Sequence, residues 1–177
     1  IKHLIVYEKD ILMINKSKNT SHLSPPKELL GRLLEHYQNK QYISAEKLAL
    51  FITQEYPKNK FAWKVLGAVL KQTGRLIESL AANEKSVQLA PKDAQAVNNL
   101  GVTLQELGRL EEALVSYTKA IALKPDYAEA HYNFGITLQE QSRLDEALAS
   151  YTQAIALKPD YAQAHNNLGV TLQELGK

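Results

Sequence analysis

Asn99, Asn133 and Asn167 stand 34 residues apart, each directly before a Leu-Gly or Phe-Gly pair. A carboxamide carries two N–H donors and an acceptor oxygen, so a row of them can pair with the amides and carbonyls of a peptide backbone whatever side chains that peptide bears. His131 and His165 also repeat at 34, and two imidazoles on one face are potential metal ligands. They fill the slot that Trp63 holds earlier in the chain, and no carboxylate completes a ligand set, so packing is the preferred reading and no metal is expected. The absence of cysteine excludes disulfides, thiolate nucleophiles and cysteine-type zinc sites. No motif spacing for a nucleophile with its base, a phosphate loop or a metal set occurs, so neither catalysis nor a cofactor is expected of these 177 residues.

Charge balance narrows the class of partner. Lys plus Arg number 21 against 19 Asp plus Glu, and a net charge of +2 gives no reason to expect nucleic acid or an anionic membrane surface. With 45% hydrophobic and 23% charged residues and no apolar stretch long enough to cross a bilayer, the composition is that of a globular protein without a membrane span. The sequence opens on Ile1 with no charged-then-apolar leader, so no secretory signal is visible and cytoplasm is the default expectation.

A repeat must position these amides. Pro57, Pro91, Pro125 and Pro159 are 34 residues apart, as are Gly67, Gly101, Gly135 and Gly169. Aligning 94–127 with 128–161 leaves 24 of 34 positions identical, which chance does not produce. Val97, Leu100, Gly101 and Leu104 fall at i, i+3, i+4 and i+7, and Leu110, Ala113, Leu114, Tyr117, Ala120 and Ile121 continue the pattern, so each unit predicts two amphipathic helices. Gly74-Arg75 and Gly108-Arg109 mark the break between them, since glycine takes the left-handed conformation that ends a helix; Ser142-Arg143 is a poorer stop. The second helix ends before Lys-Pro. Asp126 and Asp160, three residues ahead of Glu129 and Gln163, are the expected caps of the following helices. Tyr117 and Tyr151 fall at core offsets, whereas Arg109, Glu111, Glu112, Arg143, Asp145 and Glu146 are expected to solvate the second helices.

These offsets resemble the tetratricopeptide repeat, whose 34-residue unit carries a bulky residue, Leu-Gly, a large residue, then Ala, an aromatic, Ala and Pro. Residues 94–127 hold Val97, Leu100-Gly101, Leu104, Ala113, Tyr117, Ala120 and Pro125; residues 128–161 hold His131, Phe134-Gly135, Leu138, Ala147, Tyr151, Ala154 and Pro159. Residues 60–93 keep Trp63, Leu66-Gly67, Leu70 and Pro91, but Ser79, Asn83 and Ser86 replace the second-helix alanine, aromatic and alanine, which predicts less regular packing there. Residues 26–59 read as a divergent repeat with Ala45 and Pro57 but Arg32-Leu33 in place of Leu-Gly, and 162–177 as the first helix of a truncated one. Residues 1–25 form an N-terminal extension or cap, apolar over Ile1–Ile14, polar over Asn15–Ser21 and closed by Pro25-Pro26. The resemblance implies an all-α fold, a right-handed superhelical α-solenoid of antiparallel helix-turn-helix repeats.

It further implies that the first helices line a concave, peptide-binding groove. The groove positions are Gln95, Asn98, Asn99, Val102 and Gln105 in one unit, Glu129, Tyr132, Asn133, Ile136 and Gln139 in the next, and Gln163, Asn166, Asn167 and Val170 in the last. With first helices on the order of 10 Å apart and an extended chain rising about 3.3 Å per residue, one asparagine meets about every third peptide residue. The row is similar to the asparagine array in the tetratricopeptide superhelix of O-linked N-acetylglucosamine transferases, which holds extended protein substrates; Val65 breaks the series in unit 60–93. The plainer alternative is that each asparagine bonds a neighbouring backbone and recurs because the units duplicated. A clamp for a terminal carboxylate, a second mode of the family, needs convergent basic groups; Lys64 and Asn99 match, but Ala68, Glu129 and Asn133 stand where an Asn and two basic residues belong, so the clamp is rejected. The expected function is binding of a partner protein or extended peptide. The alternatives are a substrate-recruiting arm of a larger enzyme such as a glycosyltransferase, and a scaffold that self-associates through the open terminal repeat, where Leu168, Leu172 and Leu175 would face a missing helix.

Overall fold

The computed structural model describes residues 24–176, and among these it contains nine α-helices: α1 (Lys27–Gln38), α2 (Tyr42–Glu55), α3 (Lys60–Gln72), α4 (Leu76–Leu89), α5 (Ala94–Glu106), α6 (Leu110–Leu123), α7 (Ala128–Glu140), α8 (Leu144–Leu157) and α9 (Ala162–Glu174). The chain divides into two compact units, residues 1–89 and 90–177. Each is a stack of antiparallel helical hairpins, an all-α repeat solenoid architecture. The expected extension over 1–25 falls almost wholly outside the described residues, although Pro26 is the N-cap of α1.

The turns inside the hairpins follow from backbone sterics. Gly74 and Gly108 take φ of 77° and 73°, and each turn closes with paired bonds, Arg109 N–H to the Leu104 carbonyl at 2.9 Å and Gly108 N–H to Gln105 at 2.8 Å. Lys40 and Ser142 adopt the same left-handed conformation, at φ of 56° and 60°, without glycine's freedom. The caps are set by the 34-residue register. Asn59 Oδ1 accepts from Ala62 N–H at 2.8 Å, and Asp93 Oδ1 accepts from Gln95 and Ala96 at 3.0 and 3.1 Å. In the next two repeats that position is held by Tyr127 and Tyr161, which make no side-chain cap bond. Asp126 and Asp160 lie one residue too early, in the turn, so the expected capping boxes do not form.

In the first unit the core joins Leu29, Leu33, Ala45, Leu48, Ala49 and Ile52 to Ala62, Val65, Leu66, Val69, Leu70 and Ala82. The divergent repeat owes its sequence to a reversal of size. Where other hairpins set a glycine on the first helix against a large group on the second, this one has Leu33 on α1 and Ala49 on α2, both fully buried in the same core. Ser79, Asn83 and Ser86 are buried, but Ser79 Oγ donates to the Gly67 carbonyl at 2.8 Å, Asn83 Nδ2 to Ser79 Oγ at 3.3 Å and Ser86 Oγ to the Lys60 carbonyl at 3.4 Å. Ser79 and Ser86 offset their burial by donating to backbone carbonyls of the facing helix, whereas Asn83 bonds Ser79 within α4.

In the second unit α5 pairs with α6 and α7 with α8, while α6 packs on α7 and α8 on α9. Tyr117 and Tyr151 are fully buried against glycines: a Cβ on Gly101 would stand 2.7 Å from Tyr117 Cε1, and one on Gly135 2.7 Å from Tyr151 Cε1. Bare backbone at these crossings is what lets a tyrosine ring lie between the two helices of a hairpin. Gly169 on α9 meets nothing within 4 Å.

Candidate functional site

Every groove residue named above belongs to the second unit, on α5, α7 and α9, and α7 lies beside both of the others. In their first turns Gln95, Glu129 and Gln163 are exposed. Asn99, Asn133 and Asn167 are half-buried, as are Tyr132, Val102, Ile136, Gln105 and Gln139; Asn166 and Val170 are exposed. Asn98, at 5% exposure, is buried and does not face a ligand freely.

Asn133 and Asn167 form struts to the first helix of the preceding hairpin. Asn133 Nδ2 donates to Asn98 Oδ1 at 3.2 Å, and Asn167 Nδ2 lies 3.5 Å from the hydroxyls of both Tyr132 and Tyr151. Their backbone carbonyls, with that of Asn99, accept from the hydroxyls of Thr103, Thr137 and Thr171 at 3.1, 3.1 and 2.8 Å. Each strut employs the amide nitrogen and leaves the acceptor oxygen of the asparagine for another donor. Gln105 and Gln139 are tied more tightly. Tyr117 Oη donates to Gln105 Oε1 at 2.9 Å and Gln105 Nε2 to Glu140 Oε1 at 2.8 Å; Tyr151 Oη donates to Gln139 Oε1 at 2.9 Å and Gln139 Nε2 to Glu174 Oε2 at 3.2 Å. These two glutamines join the buried tyrosine to the adjacent repeat, a structural role that their sequence position does not announce.

Tyr127 and Tyr161, absent from the sequence-based set, are the N-cap residues of α7 and α9. The ring of Tyr132 is 4.9 Å from that of Tyr161, tilted by 43°, and 6.0 Å from that of Tyr151. Burial pushes the Tyr127 phenol up to about 12, with Glu129 and Asp93 adding to it. Burial likewise pushes Tyr161 up to about 12, and Glu129 contributes again. One exposed carboxylate therefore acts on two phenols from different repeats. The helices α5, α7 and α9 contain no Lys or Arg, but carry Glu106, Glu129, Glu140 and Glu174.

The remaining polar candidates are accounted for by structure. His131 Nε2 donates to the Pro125 carbonyl at 3.0 Å and His165 Nε2 to Pro159 at 2.9 Å, the bond that Trp63 Nε1 makes to Pro57 at 2.9 Å. Arg109 and Arg143 form exposed ion pairs with Glu112 and Glu146 on the second helices, each at 2.7 Å. Among the described residues no group of His, Cys, Asp and Glu is placed to hold a metal ion, and no helix is long and apolar enough to cross a membrane.

A family model described as TPR repeat matches residues 105–142 and 138–176, and one described as tetratricopeptide repeat matches 82–115. No curated protein matches the chain. Among solved structures, MamA from Desulfovibrio magneticus RS-1 is 17% identical with a TM-score of 0.75, over 85% of each chain. The first TPR of Spaghetti (RPAP3), bound to the HSP90 peptide SRMEEVD, is 22% identical with a TM-score of 0.65, covering 67% of this chain and 94% of that one. A Thermobaculum terrenum O-GlcNAc transferase is 30% identical with a TM-score of 0.61, over 64% of this chain and 22% of its own. The family models together span 82–176, more than half of the chain, and its hairpins carry the glycine and tyrosine crossings of the 34-residue unit; the chain belongs to the tetratricopeptide repeat family.

Proposed function

We propose that this chain is a protein-interaction module that holds an extended peptide along α5, α7 and α9. The observation that carries the reading is the row Asn99, Asn133 and Asn167, half-exposed on adjacent first helices, with the latter two oriented by bonds to the preceding helix. Oriented amides bind backbone at low entropic cost, and Val102, Ile136 and Val170 supply shallow apolar contact beside them. Individual hydrogen bonds contribute only about 0.5–1.5 kcal/mol each, so the rungs must act together. The test is capture of peptides from a random-sequence library by the immobilised chain and by the N99A/N133A/N167A variant. Strong depletion of captured peptides in the variant, with an unchanged circular dichroism spectrum, is the expected result; equal capture would end the proposal.

A second reading, a substrate-recruiting arm of a larger enzyme, is favoured by the likeness to the O-GlcNAc transferase, which is 30% identical where it aligns. The same groove would then present protein substrates to a catalytic domain, and the reading frame beyond Lys177 tests it directly.

A further inference from the structure

We infer that Glu129, Tyr132 and Tyr161 form a subsite for one cationic side chain, Arg or Lys, of the peptide in the groove; the inference rests on the groove reading above. The first observation is a divergence inside a duplicated array. α5 and α9 are identical at 12 of 13 positions, whereas α7 departs from α9 at four: Glu129 for Gln163, Tyr132 for Asn166, Phe134 for Leu168 and Ile136 for Val170. The last two exchange one apolar side chain for another. The first two replace amides by a carboxylate and a phenol, three residues apart and so on one face of the helix.

The second observation is what α9 brings to that face. Tyr161, at the N-cap of α9, sets its ring 4.9 Å from Tyr132, and Glu129 lies close enough to raise the phenols of both Tyr161 and Tyr127. The third is that the Tyr161 ring, like that of Tyr127, already has a cation of the chain itself over it. Lys158 Nζ stands 4.7 Å from the centroid of Tyr161 and Lys124 Nζ 5.1 Å from that of Tyr127, both on exposed turns. An aromatic face joined to a carboxylate is the pairing that a guanidinium or ammonium group requires, the ring through its quadrupole and the carboxylate through charge-assisted hydrogen bonds.

Charge selects the same occupant. No Lys or Arg lies on α5, α7 or α9 themselves, and Glu106, Glu140 and Glu174 extend the negative field along the same helices, where an acidic peptide would meet like charge. The chain's own Lys158 stands over the Tyr161 ring, and the peptide's cation would displace it there. Gln95 and Gln163 at the equivalent positions are neutral, so the cationic subsite occurs once. Amide rungs grip a backbone in any register; a single cation-binding position chooses one.

The test uses three dye-labelled peptides of Ser, Thr and Val, identical except for a central Arg, norleucine or Glu, titrated against the full chain by fluorescence anisotropy. The Arg peptide should bind about tenfold tighter than the norleucine peptide, and the Glu peptide more weakly than either. The E129Q/Y132N variant gives α7 the residues that α9 carries at these positions, a helix already compatible with this fold, and should bring the Arg to norleucine ratio close to one. Equal binding of Arg and norleucine peptides to the unaltered chain overturns the subsite while leaving the groove reading intact. Failure of all three peptides to bind overturns both.

Discussion

Exchanging the sizes of the groups at one hairpin crossing should rescue two damaging substitutions. In the α5–α6 hairpin Gly101 faces the fully buried Tyr117, and a methyl group added to Gly101 would already stand 2.7 Å from the ring. Gly101→Leu therefore overpacks the crossing, at about 1–3 kcal/mol. Tyr117→Ala removes a buried aromatic and leaves a cavity, at about 3–5 kcal/mol by analogy with other aromatic truncations. Independent effects would give a double variant destabilised by about 4–8 kcal/mol, enough to unfold most domains of this size. The α1–α2 hairpin shows another outcome, since Leu33 and Ala49 occupy the corresponding positions and both are fully buried. G101L/Y117A copies that arrangement, so the double variant should be about 2–3 kcal/mol more stable than the sum of the singles implies. The lost Tyr117 Oη bond to Gln105, about 0.5–1.5 kcal/mol, is not recovered. Equilibrium urea unfolding followed by far-UV circular dichroism on the four chains supplies the cycle. Additivity within about 0.5 kcal/mol would refute size complementarity as the reason for the divergent repeat.

Ser142→Gly should stabilise the chain by about 1 kcal/mol in the same urea experiment, because serine holds φ at 60° where glycine is unstrained; Gly108→Ala should cost a similar amount. Tyr127 and Tyr161 should ionise near pH 12 in a spectrophotometric titration, against the ordinary 10.0. Their folded values lie above the unfolded ones, so their contribution to stability is complete below about pH 10 and is lost as the pH rises through about 12. Glu129→Gln should bring both phenols down, and a titration unchanged by that substitution would count against the proximity of this carboxylate to the two rings.

The period of 34 and the apolar offsets made the hairpins legible before any coordinate, since helix length, Gly74 and Gly108 stops and the Lys-Pro ends are local properties of the chain. Local chemistry misled at Asp126 and Asp160. An aspartate ahead of a helix looks like a cap, but the repeat register places the cap at Tyr127 and Tyr161, as Asn59 and Asp93 show by capping at the equivalent sites. Ser79 and Ser86 looked disruptive because their partners are backbone carbonyls of α3, which no pattern on α4 reveals. Asn98, Gln105 and Gln139 were legible as amides on the first helices, but not as struts, since their partners lie on other helices, in several cases one repeat away. Tyr161 was missed for a related reason: it reaches Tyr132 from the N-cap of α9, 29 residues further along the chain.

The paired sizes at the crossings also bear on how the chain avoids folding wrongly. In an array of similar hairpins, a first helix can meet the second helix of another repeat. Leu33 against Tyr117 would set two large groups together, and Gly67 against Ala49 would leave a void, so the first hairpin rejects exchanged partners. The α5–α6 and α7–α8 hairpins have no such guard, because Gly101 with Tyr151 is the same fit as Gly135 with Tyr117. It is between these two that concentrated chains have a sterically open route to trade helices with one another.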